Sequence, residues 1–233
     1  MTSRGVVPTV SVVIAVRDGA RYLGEAIRSV LDQTLPALEV LVVDDGSRDD
    51  SAEVARAFGP PVRVITQAPA GIGAARNRGL AEARADTVAF QDADDLWCPD
   101  KLAAQISALV KDPTLDLVSG HVRQFISPDV PEEEKARFVC PSGPQPGWIA
   151  CATLATRRAI AIIGPFSETL RAGEFIDWFM RAREAGLHTR MLPGVVLARR
   201  IHLANYGVRE RASYADYLTV VRDAFRRRRA DSS

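Results

Sequence analysis

The sequence predicts an α/β fold built on a mostly parallel central sheet with helices on its faces. Three observations carry that prediction. Short runs rich in β-branched and apolar residues recur four times between residues 10 and 91. Each is followed by a segment with helical spacing of its apolar residues, the βαβ order that demands a parallel sheet. Three of the runs end abruptly in polar clusters: Arg17-Asp18, Asp44-Asp45 and Asp92 to Asp95. Ligands of such sheets bind beyond the carboxyl ends of the strands, so three clusters would converge on one edge.

In chain order, Val10 to Val16 reads as a buried strand, because an apolar run without alternation belongs inside a covered sheet. Arg21 to Gln33 carries Leu23, Ala26, Ile27, Val30 and Leu31 at helical spacing. Leu38 to Val43 is a second buried strand. Asp50 to Phe58 is a short helix that Gly59-Pro60-Pro61 terminates. Val62 to Thr66 is the third strand, Gly73 to Arg84 an alanine-rich helix, and Thr87 to Gln91 the fourth strand. Pro99 sits where a first helical position tolerates proline, and Leu102, Ile106 and Leu109 give the next helix its apolar face.

The second half is patterned differently. Leu115 to Ile126 reads as a strand or hairpin arm, and Ser127 to Pro146 as a proline-rich loop with a short helix around Glu132 to Arg137. Gly147 to Thr156 begins another strand. Glu174 to Ala185 is a helix stopped by Gly186, Val195 to Ile201 a strand, and Ala212 to Arg229 a terminal helix ending in four arginines. With no clean linker, residues 1–233 read as one domain: a ligand-binding half (8–112), a second half (113–210) and a C-terminal helix (211–233).

Composition narrows the class. A chain of 233 residues with 47% hydrophobic and 25% charged residues has an ordinary globular balance, and a net charge of +1 argues for no nucleic-acid partner. Cys98, Cys140 and Cys151 have neither zinc spacing nor a disulfide pattern, which fits a reducing, cytoplasmic location. The N-terminus lacks a signal-peptide core, and no apolar run is long enough to cross a bilayer. The C-terminal arginines are either a solvated helix end or a peripheral contact with an anionic inner membrane face. Nothing here speaks to oligomeric state.

The densest chemistry lies at Asp92-Ala93-Asp94-Asp95, where carboxylates this close repel one another unless a cation sits among them. In an extended backbone Asp92 and Asp94 point to one side and would share an ion. Hard oxygen donors suit Mg²⁺ or Mn²⁺, with phosphate completing the coordination. The alternative is an acidic turn that caps the following helix.

Four ordered motifs now stand together: Val10-Ser11-Val12-Val13-Ile14, Val42-Val43-Asp44-Asp45-Gly46-Ser47, Gly71-Ile72-Gly73-Ala74-Ala75-Arg76-Asn77-Arg78-Gly79, and Asp92-Ala93-Asp94-Asp95-Leu96-Trp97-Cys98-Pro99. In order and spacing they resemble the family 2 glycosyltransferases, densely over residues 8–110 and more thinly to about 205. The resemblance implies a GT-A fold with a Rossmann-like sheet, a nucleotide-diphosphate sugar donor (UDP-linked in many relatives) and sugar transfer with inversion to a saccharide, lipid-linked or peptide acceptor. It implies that Asp45, with Asp44, meets the nucleotide base, where an Asx turn with Gly46 is the plain alternative. Ala15 and Arg17 would line base and ribose. Arg76 would lie near base or diphosphate, Asp92 and Ala93 at ribose and metal, and Asp94 would be the main metal ligand. His202, after a strand, would be a further ligand or a structural histidine. Asp95 would orient its loop or cap the next helix.

Relatives carry adjacent Glu-Asp at the start of a helix, with the Asp as general base. In Gly173-Glu174-Phe175-Ile176-Asp177, alignment on Asp177 and Arg181 puts Phe175 at that position. Either Glu174 acts as base with Asp177 held by Arg181, or both are structural and the chain is a non-catalytic or weakened nucleotide-sugar binder. Of Trp97, Trp148 and Trp178, Trp97 stands nearest the acidic cluster and is the first candidate to stack on a sugar; the alternative for each is core packing. A dehydrogenase is disfavoured because Arg76 fills the third glycine position of Gly71-Ile72-Gly73 and the motif follows the third strand. An aspartyl-phosphate phosphatase is disfavoured because the first strand ends in Arg17-Asp18.

Overall fold

The structure is a computed structural model that describes residues 7–203, 216, 218–220, 222, 223, 226 and 227. Its first half runs β1 (Val10–Val16), α1 (Ala20–Leu31), β2 (Glu39–Asp44), α2 (Ser51–Arg56), β3 (Val62–Thr66), α3 (Ile72–Glu82) and β4 (Thr87–Asp92). The order β3-β2-β1-β4 is parallel throughout, with Val16 opposite Asp44 and Ala15 opposite Asp92. That register brings three strand ends to one edge, as the βαβ pattern requires.

Alternation along the strands divides the core. Val12, Ile14 and Val16 pack with Leu23, Ile27 and Val30 of α1 on one face. Val13, Leu41, Val43, Val88 and Phe90 pack with Ala75 and Leu80 of α3 on the other. Both faces are covered, so both sets of side chains are apolar and the strands read as unbroken hydrophobic runs.

The chain continues through β5 (Leu96–Trp97), α4 (Lys101–Lys111), β6 (Leu117–Ile126), α5 (Glu132–Lys135), β7 (Gln145–Pro146), a 3-10 turn (Ala150–Ala152), β8 (Thr153–Thr156), α6 (Arg157–Ile163), α7 (Glu174–Glu184) and β9 (Thr189–Ile201). These strands extend the same sheet in the order β4-β8-β6-β9-β5, with β7 on β6. The extension is mixed: β6 and β9 are parallel, whereas β8 is antiparallel to both its neighbours and β5 to β9.

Several expectations are corrected here. The strand expected from Gly147 begins only at Thr153, because Gly147 and the 3-10 turn hold the preceding residues. Pro99 precedes the helix instead of opening it; Lys101 is the first helical residue and Asp100 its N-cap. The α6 helix was not anticipated, although Thr156 caps it by accepting Ala159 N–H at 3.1 Å and Gly164-Pro165 ends it. The terminal helix falls mostly outside the described residues. Among those described, Arg227 turns inward: its Nε donates to Glu184 Oε2 at 2.7 Å and its Nη1 to Asp177 Oδ1 at 3.1 Å. This removes one of the four arginines from any membrane-facing surface, while Arg228 and Arg229 lie outside the description. No helix among the described residues is long and apolar enough to cross a membrane.

Candidate active site

The loops after β1 and β2 brace each other. Asp18 N–H donates to Ser47 Oγ at 3.0 Å, Arg48 N–H to Asp18 Oδ1 at 2.7 Å, and Gly19 N–H to Ser51 Oγ at 3.0 Å. Asp18 adopts φ +52°, in the left-handed region that aspartate visits more readily than most residues. Ala15 is half-buried beside Asp92, and Arg17 is exposed on the loop.

The Asp44-Asp45 pair is turned towards its own chain. Asp44 Oδ1 accepts Ser47 N–H at 2.9 Å, closing the turn around Gly46 at φ +72°. Asp45 is buried, and its carboxylate accepts Gln67 Nε2–H, Ala70 N–H and Gly71 N–H, each at 2.8 Å. It therefore fixes the segment that leads into α3, the helix that carries Arg76.

Arg76 is the hub. Only 4% exposed, it donates through Nη2 to Asp92 Oδ1 at 3.0 Å and through Nη1 to Glu174 Oε1. Burial alone would lower its pKa, but the charges of Glu174 and Asp92 outweigh that and raise it. The guanidinium thus ties the end of β4 to the first residue of α7, which Gly173 at φ +78° precedes. Phe166 lies beneath it, 5.7 Å from guanidinium carbon to ring centroid. Asp177 belongs to another network: Oδ2 accepts Arg181 Nε–H at 3.0 Å and Oδ1 meets Arg227. Phe175 is 6% exposed and packs in the core, 5.9 Å from the Trp178 ring.

The acidic cluster departs from the alternation argument. The strand stops at Asp92 and the chain turns, with Asp95 N–H donating to Asp92 O at 3.4 Å. Asp94 then points its Oδ2 at His202 Nε2, 3.0 Å away. His202 is itself buried against the Tyr22 ring, centroids 4.6 Å apart. Ala93 is half-buried against the core. Asp95 is buried; it accepts Arg200 N–H at 2.8 Å and the Cys151 thiol at 3.4 Å. Burial, then the charges of Asp94 and Asp92, push its pKa well above the carboxylate range.

One carboxylate oxygen each of Asp92 and Asp95 and the Sγ of Cys151 lie within 4.8 Å of one another. That trio suits a hard divalent ion poorly. Burial and the neighbouring Asp92 and Asp95 push the Cys151 thiol well up, and a protonated thiol does not ligate. The Asp95 oxygens already have partners. Asp92 and Asp94, both only half-buried, and the His202 imidazole are the donors whose chemistry fits Mg²⁺ or Mn²⁺.

Arg200 and Cys151 are the residues that sequence reasoning missed. Arg200 is buried, donates from Nε to Asp94 O at 3.0 Å and from Nη2 to Glu25 at 2.6 Å, and lies 4.6 Å over Tyr22. A charged residue inside the apolar run 195–201 was the available signal. Trp97, the first candidate for a sugar platform, is 5% exposed, with its indole N–H donated to Cys151 O at 3.1 Å. It is a core residue, as is Trp178, which is fully buried.

Comparison with known proteins agrees with this architecture. An uncharacterized glycosyltransferase of Rickettsia felis is 30% identical over 197 residues, covering 78% of this chain and 32% of its own length. A putative glycosyltransferase of Bacillus subtilis, EpsH, is 31% identical over 121 residues, covering 51% of this chain and 35% of its own. The chain therefore spans about a third of the length of these relatives. Among solved structures, S. aureus TarS 1–349 superposes with a TM-score of 0.70 at 19% identity, over 93% of this chain and 64% of that one. The same protein in complex with UDP superposes at 0.68. These structures share the GT-A fold seen here. Residues 11–159 match the model of glycosyl transferase family 2, well over half of the chain, and the protein belongs to that family.

Proposed function

We propose that this chain moves a sugar from a nucleotide-diphosphate donor, UDP-linked, to an acceptor hydroxyl with inversion at the anomeric carbon. The observation that carries the proposal is buried Arg76, bridging Asp92 at the end of β4 and Glu174 at the start of α7. A cation so placed faces the edge where the strands of such sheets deliver ligands. TarS, which shares the fold, has been crystallised with UDP and with UDP-GlcNAc, which supports the choice of donor.

In this reading Ala15 and Arg17 line base and ribose, and Asp44 and Asp45 shape the turn beneath the base. Asp92 and Asp94, with His202, would hold Mg²⁺ or Mn²⁺ with Ala93 between them. When bound, such an ion supplies charge neutralisation for the diphosphate leaving group. Arg76 offers its fork to the diphosphate. A diphosphate on that fork competes with Glu174 and frees its carboxylate. Glu174 takes the proton from the acceptor hydroxyl as general base. The acceptor oxygen bonds to the anomeric carbon as the bond to the diphosphate oxygen breaks, a single displacement that inverts the centre. Asp177, paired with Arg181 and Arg227, positions α7.

A second reading has its own observation: both candidate bases sit in ion pairs and Phe175 is in the core, as in a protein that binds donor without turning it over. UDP release from a panel of UDP-sugars, with and without Mn²⁺, separates the two. Turnover in the wild type that is lost in Glu174→Gln and Asp94→Ala supports the enzyme. Metal-dependent UDP affinity with no turnover above background supports the binder.

A further inference from the structure

The three tryptophans differ in one respect that matters for sugars. Trp97 and Trp178 are buried, and their indole N–H groups donate to Cys151 O at 3.1 Å and Gly164 O at 3.0 Å. Trp148 is 37% exposed, and its indole N–H has no hydrogen-bond partner among the described residues.

This exposure does not come from a loose loop. Gly147 N–H donates to Gly120 O at 3.1 Å, and a Cβ on Gly147 would lie 2.4 Å from that same oxygen. On the other side, Ile149 O accepts Thr153 Oγ1–H at 2.8 Å and Ala152 N–H at 3.2 Å. The backbone is clamped on both sides of a ring that remains open to solvent. Its inner face rests on Phe179, centroids 4.9 Å apart at 38°. Phe179 in turn stacks on Phe175, at 6.2 Å and 23°. Phe175 follows Glu174, whose carboxylate meets Arg76. A strip of aromatic side chains thus leads from the Arg76–Glu174 pair out to Trp148.

We infer that the outer face of Trp148, backed by Phe179, is the subsite for a sugar ring of the acceptor. The inference rests on the glycosyltransferase reading above. The apolar C–H face of a pyranose covers one indole, and a ring hydroxyl accepts the indole N–H. An aromatic group with an unused polar edge serves a ligand that is apolar on one side and wet on the other. Exposed Gln145 and Pro146 precede the ring, and Gly147 beside it is buried. Fixing the ring in advance removes an ordering cost from binding.

The test uses the full chain labelled with ¹⁵N at tryptophan, in Mg²⁺ and saturating UDP, titrated with cellobiose, chitobiose, maltose and lactose. The Trp148 indole signal is the one absent from Trp148→Phe. A saturable shift of that signal by at least one disaccharide is expected. A stack and a hydrogen bond together are worth about 1.4 kcal/mol, so Trp148→Ala weakens binding about tenfold. Trp148→Phe, which keeps an aromatic shelf and the fold, weakens it by about threefold. No shift with any disaccharide, unchanged affinity in both variants, or a shift with phosphatidylglycerol vesicles alone overturns the inference. The UDP titration of the wild type stands apart: absence of UDP binding overturns the donor reading, whereas UDP binding with a silent Trp148 overturns only the acceptor subsite.

Discussion

Phe175→Asp puts a carboxylate where the family resemblance places the general base, and the structure predicts that it damages the protein. Phe175 is 6% exposed and packs against Trp178 at 5.9 Å and Phe179 at 6.2 Å. Removing a buried phenylalanine costs about 3–5 kcal/mol through lost transfer energy and the cavity left behind. The new carboxylate sits in an apolar cluster beside two existing acids, Glu174 and Asp177, which adds about 1–3 kcal/mol. The sum, about 4–8 kcal/mol, is comparable to the whole stability of a typical domain, about 5–15 kcal/mol. Equilibrium urea unfolding at pH 7.5 should show the midpoint lowered by about 2 M or more, given a slope of about 2 kcal/mol per M. At pH 5 part of the loss should return, because a carboxyl whose pKa is raised by burial is tolerated in its protonated form. Phe175→Leu, which keeps the site apolar, should cost only about 1 kcal/mol. A Phe175→Asp protein with a wild-type midpoint and raised UDP release would refute the reasoning. It would mean that this side chain faces the pocket and that α7 is set as in the relatives.

Two further perturbations test the frame of the site. Lys101 is buried, with Nζ 2.8 Å from Gln105 Oε1 and 4.2 Å from the Trp97 ring centroid, and burial lowers its pKa from 10.5 to about 7. Between those values the unfolded chain holds one more proton than the folded chain, so stability rises with pH by up to about 1.4 kcal/mol per unit. The penalty is fully present below pH 7 and disappears as pH climbs through 10.5. Lys101→Met should abolish that slope and raise the urea midpoint at pH 7; equal slopes in the two proteins from pH 7 to 9.5 would dismiss the assignment. Asp45→Ala leaves Ala70 N–H and Gly71 N–H without their acceptor, a loss of about 2–4 kcal/mol. Thermal unfolding should fall by several degrees and UDP affinity should drop with it, since the same segment leads to Arg76. Lost affinity at an unchanged melting temperature would instead make Asp45 a direct contact to the base.

How much of this was legible in the chain differs from element to element. The four parallel strands and their helices were readable because each depends on local periodicity, and burial of β1, β2 and β4 on both faces leaves apolar runs there. The three polar clusters at one edge followed from that order alone. The α6 helix was missed although Thr156 and Gly164-Pro165 mark its ends, because its seven residues are too few to display a period. Strand alternation ends at Asp92, so the direction of Asp94 follows from the turn after it and not from the period of the strand.

The sequence by itself determined the four parallel strands, the helices between them and the family, since motif order and hydrophobic period are properties of a chain read in one direction. Tertiary structure alone decided the partners of the ionisable groups: Arg76 with Glu174 across 98 positions, Asp94 with His202 across 108, and Asp45 with the backbone before α3. It also decided which tryptophan remains open to solvent. Side chains so far apart in the chain meet only when the sheet closes, and electrostatic energy depends on distances in space and on burial, neither of which is written in local sequence.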